Sequence, residues 1–158
     1  MLQRNLSFED TASRSATGEL ASGARTILGF ASLCARAISG ETEVPGQLSR
    51  EALAILVCAA NRGMIDLRIS KEGFDSTQRL LSVCVEIADG HWLLFRQTGN
   101  ARRTIEFLDG FRELCEAGLV IHHQLADFSL TRAGFELAGT LQLSDFEQET
   151  RFATKIEY

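Results

Sequence analysis

Residues 100–141 read NARRTIEFLDGFRELCEAGLVIHHQLADFSLTRAGFELAGTL, and this stretch decides the fold. Its first half carries apolar residues at the spacing of one helical face. These residues are Phe107, Phe111, Leu114 and Cys115. Gly118 then stands where a left-handed glycine ends a helix. Gly110 interrupts the same helix, so we expect a neighbouring helix to pass too close there for a larger side chain.

The second half of the stretch predicts a hairpin followed by another helix. Leu119–Ile121 and Phe128–Leu130 are short apolar runs that flank the polar segment His122–Asp127, as two strands flank a tip. Thr131 is a suitable N-cap for the last helix. The predicted inner face of that helix consists of Phe135, Ala138 and Leu141.

The run LCEAGLV followed by FSLTRAGFELA resembles the C-terminal half of many bacterial winged-helix domains. In those domains a helix ends in a leucine–glycine–hydrophobic turn, and the wing returns into a leucine–threonine pair that caps a helix. The matching positions here are Leu114, Gly118, Leu119, Leu130, Thr131 and Gly134. The resemblance implies an α+β fold: a winged helix with an appended N-terminal helix and a small antiparallel sheet. Since one fold hosts many activities, it implies little about function.

The chain has 158 residues, and its remaining segments divide around this domain. Within residues 1–40, residues 1–23 are expected to form a mobile arm or a frayed helix start, and residues 24–39 the appended helix. A linker is expected at Gly40–Gly46, which holds the only proline. The winged-helix-like domain is expected over residues 48–141, and residues 142–158 form a C-terminal extension.

Three segments outside the opening stretch carry weaker signals. Ser49 can cap a helix, and the alternation that starts at Ile65 predicts a half-buried strand. Residues 76–95 fit either a helix or a hairpin that turns at Asp89-Gly90, and we favour the hairpin. The segment ending at Tyr158 fits an edge strand and a helical tail equally well.

The amino-acid composition limits where the protein is expected to reside and what it is expected to bind. The formal net charge is −5 and the pI about 5.2, which argues against a protein that lives on nucleic acid. Cysteines occur at Cys34, Cys58, Cys84 and Cys115 without a C-x-x-C pair, so we expect buried thiols and a cytoplasmic protein. The sequence contains no apolar run long enough to span a membrane. It also gives no reason to expect a metal or a cofactor.

Catalytic signatures are absent from the sequence, so we do not expect an enzyme. His122 and His123 are neighbours, and neighbours on a strand point to opposite faces and cannot share one metal. His91, beside Trp92, is more typical of a packed or edge histidine than of a general base. A polar cleft that gathers these histidines would support the weaker alternative of an unrecognised enzyme.

The choice between DNA and protein as the partner depends on the predicted recognition helix and wing. Donors suited to bases stand at the start of that helix, in Asn100, Arg102, Arg103 and Thr104. From Glu113 to Thr131, however, no lysine or arginine is available to neutralise phosphate. We therefore expect a non-enzymatic module that acts through protein contacts, with a DNA-binding regulator as the alternative. A basic patch of Arg62, Arg68, Arg96, Arg102 and Arg103 would favour that alternative.

The appended N-terminal helix carries an apolar stripe that must be buried, since an isolated helix of its length is marginal in water. The stripe consists of Ile27, Phe30, Ala31, Cys34 and Ile38. It can pack back on its own domain or against a second copy of the chain. We favour the second burial, which predicts a homodimer with these residues at its interface.

Overall fold

The computed structural model describes residues 9–41, 46–71 and 79–158, and within these ranges the side chains of 9–22, 70–71 and 79 lie outside the description. The elements are α1 Glu9–Ile38, α2 Arg50–Ala59, β1 Met64–Lys71, β2 Arg79–Ala88, β3 His91–Phe95, α3 Ala101–Glu116, β4 Val120–Gln124, β5 Asp127–Leu130, α4 Arg132–Ala138, a 3-10 turn Leu143–Phe146, α5 Glu147–Thr150 and β6 Thr154–Glu157.

The predicted α+β class is confirmed, but the sheet is larger than the predicted one. It has six antiparallel strands in the order β4-β5-β1-β2-β3-β6. The enlargement has two causes. The long hairpin β2–β3 continues the sheet beyond β1, and β6 from the C-terminal extension pairs with β3.

The core lies between one face of the sheet and the helices. Four phenylalanine rings link the layers: Phe107 of α3 lies 4.7 Å from Phe95 of β3, and Phe111 lies 5.0 Å from Phe128 of β5, centroid to centroid. Gly110 sits where α3 crosses α2, and a Cβ there would lie 2.7 Å from the backbone nitrogen of Ala52. The expected close approach of a second helix is therefore confirmed.

The sequence left helix and strand open for two segments, residues 76–95 and the segment that ends at Tyr158. The structure has strands in both. β2 and β3 form a hairpin around Asp89-Gly90, where Gly90 has a φ of 71°. Residues 76–78 of that prediction lie outside the described residues. At the C-terminal end, Thr154–Glu157 is the edge strand that pairs with β3, because Trp92 faces Ile156 across the ladder.

Local signals at helix ends are largely confirmed. The Ser49 hydroxyl accepts a hydrogen bond from the Ala52 N–H at 3.2 Å, and the Thr131 hydroxyl accepts one from the Gly134 N–H at 3.1 Å. Gly118 ends α3 with a φ of 69°. The predicted inner face of the last helix is only partly right.

In that last helix α4, Ala138 is buried, but Phe135 is exposed and Leu141 lies beyond the helix end. The helix is short, and the close approach of its backbone to Leu119 places Gly134 inward: a Cβ on Gly134 would lie 2.2 Å from the Leu119 carbonyl oxygen. The ring of Phe135 instead rests against Gly63.

In the N-terminal segment, the described residues follow the helical alternative rather than the mobile arm. Helix α1 begins at Glu9, so residues 9–23 continue the appended helix, while residues 1–8 lie outside the described part of the chain. The predicted linker Gly40–Gly46 also falls partly outside it, at residues 42–45. Gly40 has a φ of 73° directly after α1, as expected of a glycine that ends a helix.

The apolar stripe of α1 packs on its own chain, which is the burial that the sequence analysis did not favour. Phe30 and Cys34 are buried in the shared core, and the Phe30 ring meets Phe111 edge-on at 5.3 Å. Ile27 packs against the same core, Ala31 is half-buried, and Ile38 is exposed. The reason is that α3 presents a matching apolar face, so Phe30 and Cys34 are already covered without a second copy.

Candidate functional site

The helices cover one face of the sheet, and the other face, which we call the open face, carries no helix among the described residues. An antiparallel sheet can leave one face to solvent in this way. Strand alternation and register place on the open face Asp66, Arg68, Ser82, Cys84, Glu86, Trp92, Leu94 and Ile156. Its centre is a set of four contacting residues.

We call these four residues, Asp66, Arg68, Trp92 and Tyr158, the arginine–aromatic cluster. The Nε of Arg68 donates to Oδ2 of Asp66 at 2.7 Å, and its Nη1 donates to the Tyr158 hydroxyl. The guanidinium carbon lies 5.0 Å from the Trp92 ring centroid and 4.6 Å from that of Tyr158. Both distances fall within the range of cation–π attraction.

The charge of Arg68 is fixed by this environment. Partial burial lowers the pKa of the guanidinium, but the hydrogen bond and the charge of Asp66 outweigh it, so the pKa is raised overall. The long side chain runs over Cys84, whose thiol pKa burial raises to about 11. Ser82, the cross-strand partner of Arg68, is also completely buried.

A second ion-pair group lies beside the cluster at the end of β2. The Nε of Arg62 is 3.4 Å from Oε2 of Glu86, and its Nη2 is 3.6 Å from Oδ1 of Asp89. Arg96, which follows β3, has a buried Nε without a hydrogen-bond partner among the described residues. Acids therefore accompany Arg62 and Arg68, so the open face presents mixed charge.

The residues of the DNA-binding alternative lie on α3, in the helical layer. Asn100 is the N-cap and accepts a hydrogen bond from the Arg103 N–H at 3.2 Å. Arg103 binds Glu51 at 2.5 Å and Glu106 at 2.9 Å, and only 19% of its side chain is exposed. Thr104 is buried, and its hydroxyl accepts a hydrogen bond from the Gln97 N–H.

Arg102 is the exposed member of that set, with 89% of its side chain accessible, and it pairs with Glu106 at 3.0 Å. Two of the five arginines in the predicted basic patch, Arg62 and Arg68, reach the open face, whereas Arg103 is tied to α2 in the other layer. The structure thus separates the members of the patch.

The three histidines have separate surroundings. His122 packs on Phe128 with ring centroids 4.9 Å apart, and its Nε2 lies 2.9 Å from the Leu125 carbonyl oxygen. Nε2 of His123 is 2.7 Å from the Ser129 hydroxyl. The structure does not bring His91 to this hairpin, since its Nδ1 lies 2.8 Å from the Asp89 carbonyl oxygen. Among the described residues, no three His, Cys, Asp or Glu side chains are grouped to hold a metal ion.

The arginine–aromatic cluster was not predicted from the sequence, where Arg68 was considered only as a member of a possible basic patch. The signal available was that Asp66, Arg68 and Trp92 all lie at strand positions that alternate with core residues. Tyr158 lies 90 positions from Arg68 in the chain, so only the pairing of β6 with β3 reveals the contact.

Comparisons with models of known protein families, with curated proteins and with solved structures find no match to this chain. None of the helices in the described part of the chain combines the length and apolarity that a membrane span requires. The functional conclusion therefore depends on the geometry of the chain itself.

Proposed function

We propose that this protein is a non-enzymatic binding module that contacts another protein through the open face of its sheet. The observation that carries the proposal is the arginine–aromatic cluster. Tryptophan, tyrosine and arginine are the residues most enriched among those that dominate binding energy in protein interfaces. Here one of each lies at the centre of a face that no described helix covers.

The cluster is also organised before a partner arrives. Asp66 and the two rings hold the Arg68 side chain from three sides, so little further side-chain freedom is lost on binding. Tyr158 remains 76% exposed as a residue, so it stays accessible to a partner. An exposed aromatic ring beside a fixed guanidinium favours a partner that offers both apolar area and hydrogen-bond acceptors.

The DNA-binding alternative has weaker support from the same contacts. Asn100 and Arg103 are engaged within the fold, and Thr104 is buried, so Arg102 alone remains available at the start of α3. The β4–β5 hairpin offers phosphate no lysine or arginine. Neutralisation of phosphates supplies most non-specific affinity for DNA. We therefore expect nothing tighter than about 10⁻⁴–10⁻⁶ M on duplex DNA at physiological salt.

We further propose that the fold is a modified winged helix. The three-strand order β4-β5-β1, the α3 helix that precedes the hairpin and the Thr131 cap after it support this relationship. One feature departs from the resemblance: β1, β2 and β3 lie between α2 and α3, where a helix-turn-helix has a short turn. This departure favours protein contacts over DNA binding.

The proposed setting is the cytoplasm. All four cysteines are free and buried, as is usual in a reducing compartment. The partner is a different protein in this proposal, and self-association is an alternative that light scattering at high micromolar concentration distinguishes. A monomer at that concentration would exclude the homodimer.

The test compares the parent protein with the Trp92→Ala/Tyr158→Ala double variant and with Leu143→Ala. Leu143 serves as the control because it is an exposed apolar residue that lies away from the open face, in the segment that packs on α2. Partners captured from lysate are quantified by mass spectrometry, and the leading partner is then titrated in purified form. Loss of a single hot-spot residue costs at least about 2 kcal/mol, which is about 30-fold in affinity, so the double variant should weaken binding by at least that factor, and Leu143→Ala should not.

A partner that binds the double variant as tightly as the parent would show that the open face is not the binding surface. A titration with duplex DNA completes the test. Nanomolar affinity for one sequence, lost in Arg102→Ala, would replace the protein-binding proposal with the DNA-binding alternative.

A further inference from the structure

Helices α1 and α3 pack side by side along a regular seam. Phe30 meets Phe111 at 5.3 Å, and near the end of the seam the Cβ of Ala37 lies 3.5 Å from the position of a Cβ on Gly118. In both pairs the second residue lies 81 positions after the first, so the two helices run parallel and in register. Cys34 and Cys115 share this offset and lie between the two pairs.

The seam brings these two thiols together. Cys34 and Cys115 are 1% and 0% exposed, and each thiol shifts the pKa of the other. One helical turn further along, the Cβ of Ala37 lies 3.5 Å from the position of a Cβ on Gly118. The two segments therefore approach closely near the cysteine pair, and the shared offset places Cys34 opposite Cys115.

We propose that Cys34 and Cys115 form a redox modification site, at which hydrogen peroxide converts the two thiols into a disulfide that ties α1 to α3. Peroxide is the oxidant that suits this site, because it is little larger than water and reaches a buried seam during brief local opening. Larger disulfide reagents would need α1 to separate from α3.

The reaction proceeds in two balanced steps. The Cys34 thiolate attacks one peroxide oxygen, the O–O bond breaks, and the products are a sulfenic acid and hydroxide, which takes the proton released by the thiol. The Cys115 sulfur then attacks the Cys34 sulfur, the S–O bond breaks, and water leaves with the Cys115 proton. Overall, two thiols are oxidised by two electrons and one peroxide is reduced to two waters.

The surroundings assign the first step to Cys34. Hydrogen bonds from the Cys115 thiol and from the His122 backbone lower the pKa of Cys34 despite its burial. Burial, followed by the interaction with Cys34, raises the pKa of Cys115. Cys34 is therefore the group of the pair that ionises first, and Cys115 is the resolving thiol. This order matches the thiolate requirement for attack.

The other two cysteines provide matched controls. Cys58 lies on α2 and Cys84 on the open face of the sheet. Burial raises the pKa of Cys58 to about 12 and that of Cys84 to about 11, so neither is ionised at neutral pH. Replacing both with alanine leaves the α1–α3 seam untouched and should leave the response to peroxide unchanged.

The experiment treats the folded, full-length protein with hydrogen peroxide, blocks the remaining thiols after denaturation, and measures the intact mass and the linked peptides. The parent should lose two of its four alkylatable thiols and the mass of two hydrogen atoms, and dithiothreitol should restore both. Peptide mapping should join the fragments that hold Cys34 and Cys115. The Cys58→Ala/Cys84→Ala variant should give the same link.

Four alkylatable thiols in the folded, peroxide-treated parent would overturn the proposal. So would a link that involves Cys58 or Cys84, or one formed only between separate chains. Cys34→Ala should abolish the internal link, but the decisive measurements use the parent, which avoids any loss of folding in that variant. Mapping of the parent distinguishes every one of these outcomes.

Discussion

The replacement of Gly110 by alanine tests whether α2 and α3 are held at their observed separation. An added Cβ would lie 2.7 Å from the Ala52 nitrogen and 3.0 Å from both the carbonyl carbon and the Cβ of Glu51. Two of these three atoms belong to backbone, so the helices themselves must move apart. Overpacking of this kind costs about 1–3 kcal/mol. Alanine regains about 1 kcal/mol of helix propensity.

We therefore expect Gly110→Ala to lower the free energy of unfolding by up to about 2 kcal/mol, because the clash offsets or exceeds the gain in helix propensity. Gly29→Ala is the matched control, since Gly29 is exposed within α1 and a Cβ there meets nothing within 4 Å. That variant should raise the free energy of unfolding by about 1 kcal/mol. Urea unfolding at a common m value measures both.

The reasoning fails if both alanine variants are stabilised alike. Equal gains would mean that α2 and α3 separate without cost, and that Gly110 marks no close approach. Gly110→Leu extends the test: its larger side chain should destabilise the fold further than alanine does.

Three other expected outcomes follow from single contacts. The Cys34–Cys115 disulfide should raise the free energy of unfolding by roughly 4–5 kcal/mol over the reduced protein, measured by urea unfolding, because it closes a loop of about 80 residues in the unfolded chain; no gain would indicate a strained bond. The hydrogen bond from Arg50 lowers the pKa of the buried Glu149 carboxyl below its ordinary 4.5. The stabilisation that the Arg50–Glu149 contact contributes is therefore complete above pH 4.5 and is lost as the pH falls through the lower pKa of the folded state. Urea unfolding should show Glu149→Gln to be less stable than the parent at pH 7 and to approach the parent in acid. Thr131→Ala removes the cap of α4 and should cost about 0.5–2 kcal/mol in thermal unfolding.

The parts of the fold that the sequence predicted are those encoded by neighbouring residues. The apolar spacing of α3, the glycine at its end and the Thr131 cap each depend on contacts within a few positions. The hairpin at Asp89-Gly90 is local in the same sense. Turn and cap chemistry acts over such short ranges, so a single sequence reveals it.

The long-range partners could not be predicted from the sequence. Two strand pairings, β1 with β5 and β3 with β6, join strands that are far apart in the sequence. No local pattern favours either pairing. The same limit applied to the stripe of α1. Phe30 and Cys34 required an apolar cover, but the sequence did not distinguish Phe111 of the same chain from a second copy.

The candidate site shows a related limit. Asn100 was correctly expected to begin a helix, and an N-cap uses its side-chain oxygen for a backbone N–H. Asn100 was also among the donors suited to bases, and the cap makes its side chain less available to them. Arg103 was considered as a DNA contact. Its acidic partner Glu51 belongs to α2, and the sequence alone does not show that the two residues meet. A polar residue can be assigned a partner only when both sides of the contact are known.

The packing around α3 determines which surface remains for a partner. α2 covers one side of α3 at Gly110, α1 covers a second side at Phe111, and the sheet covers a third at Phe107. The exposed strip that remains carries Arg102, Ile105, Asp109 and Arg112, and both arginines pair with carboxylates of the same helix. A helix enters the major groove of DNA only with a free, suitably charged face. Since α3 is enclosed on three sides, such docking would require α1 to leave its place, and a disulfide at the α1–α3 seam would prevent that. Among the described residues, no helix has to move for the open face of the sheet to meet a partner, which is why we assign the binding function to it.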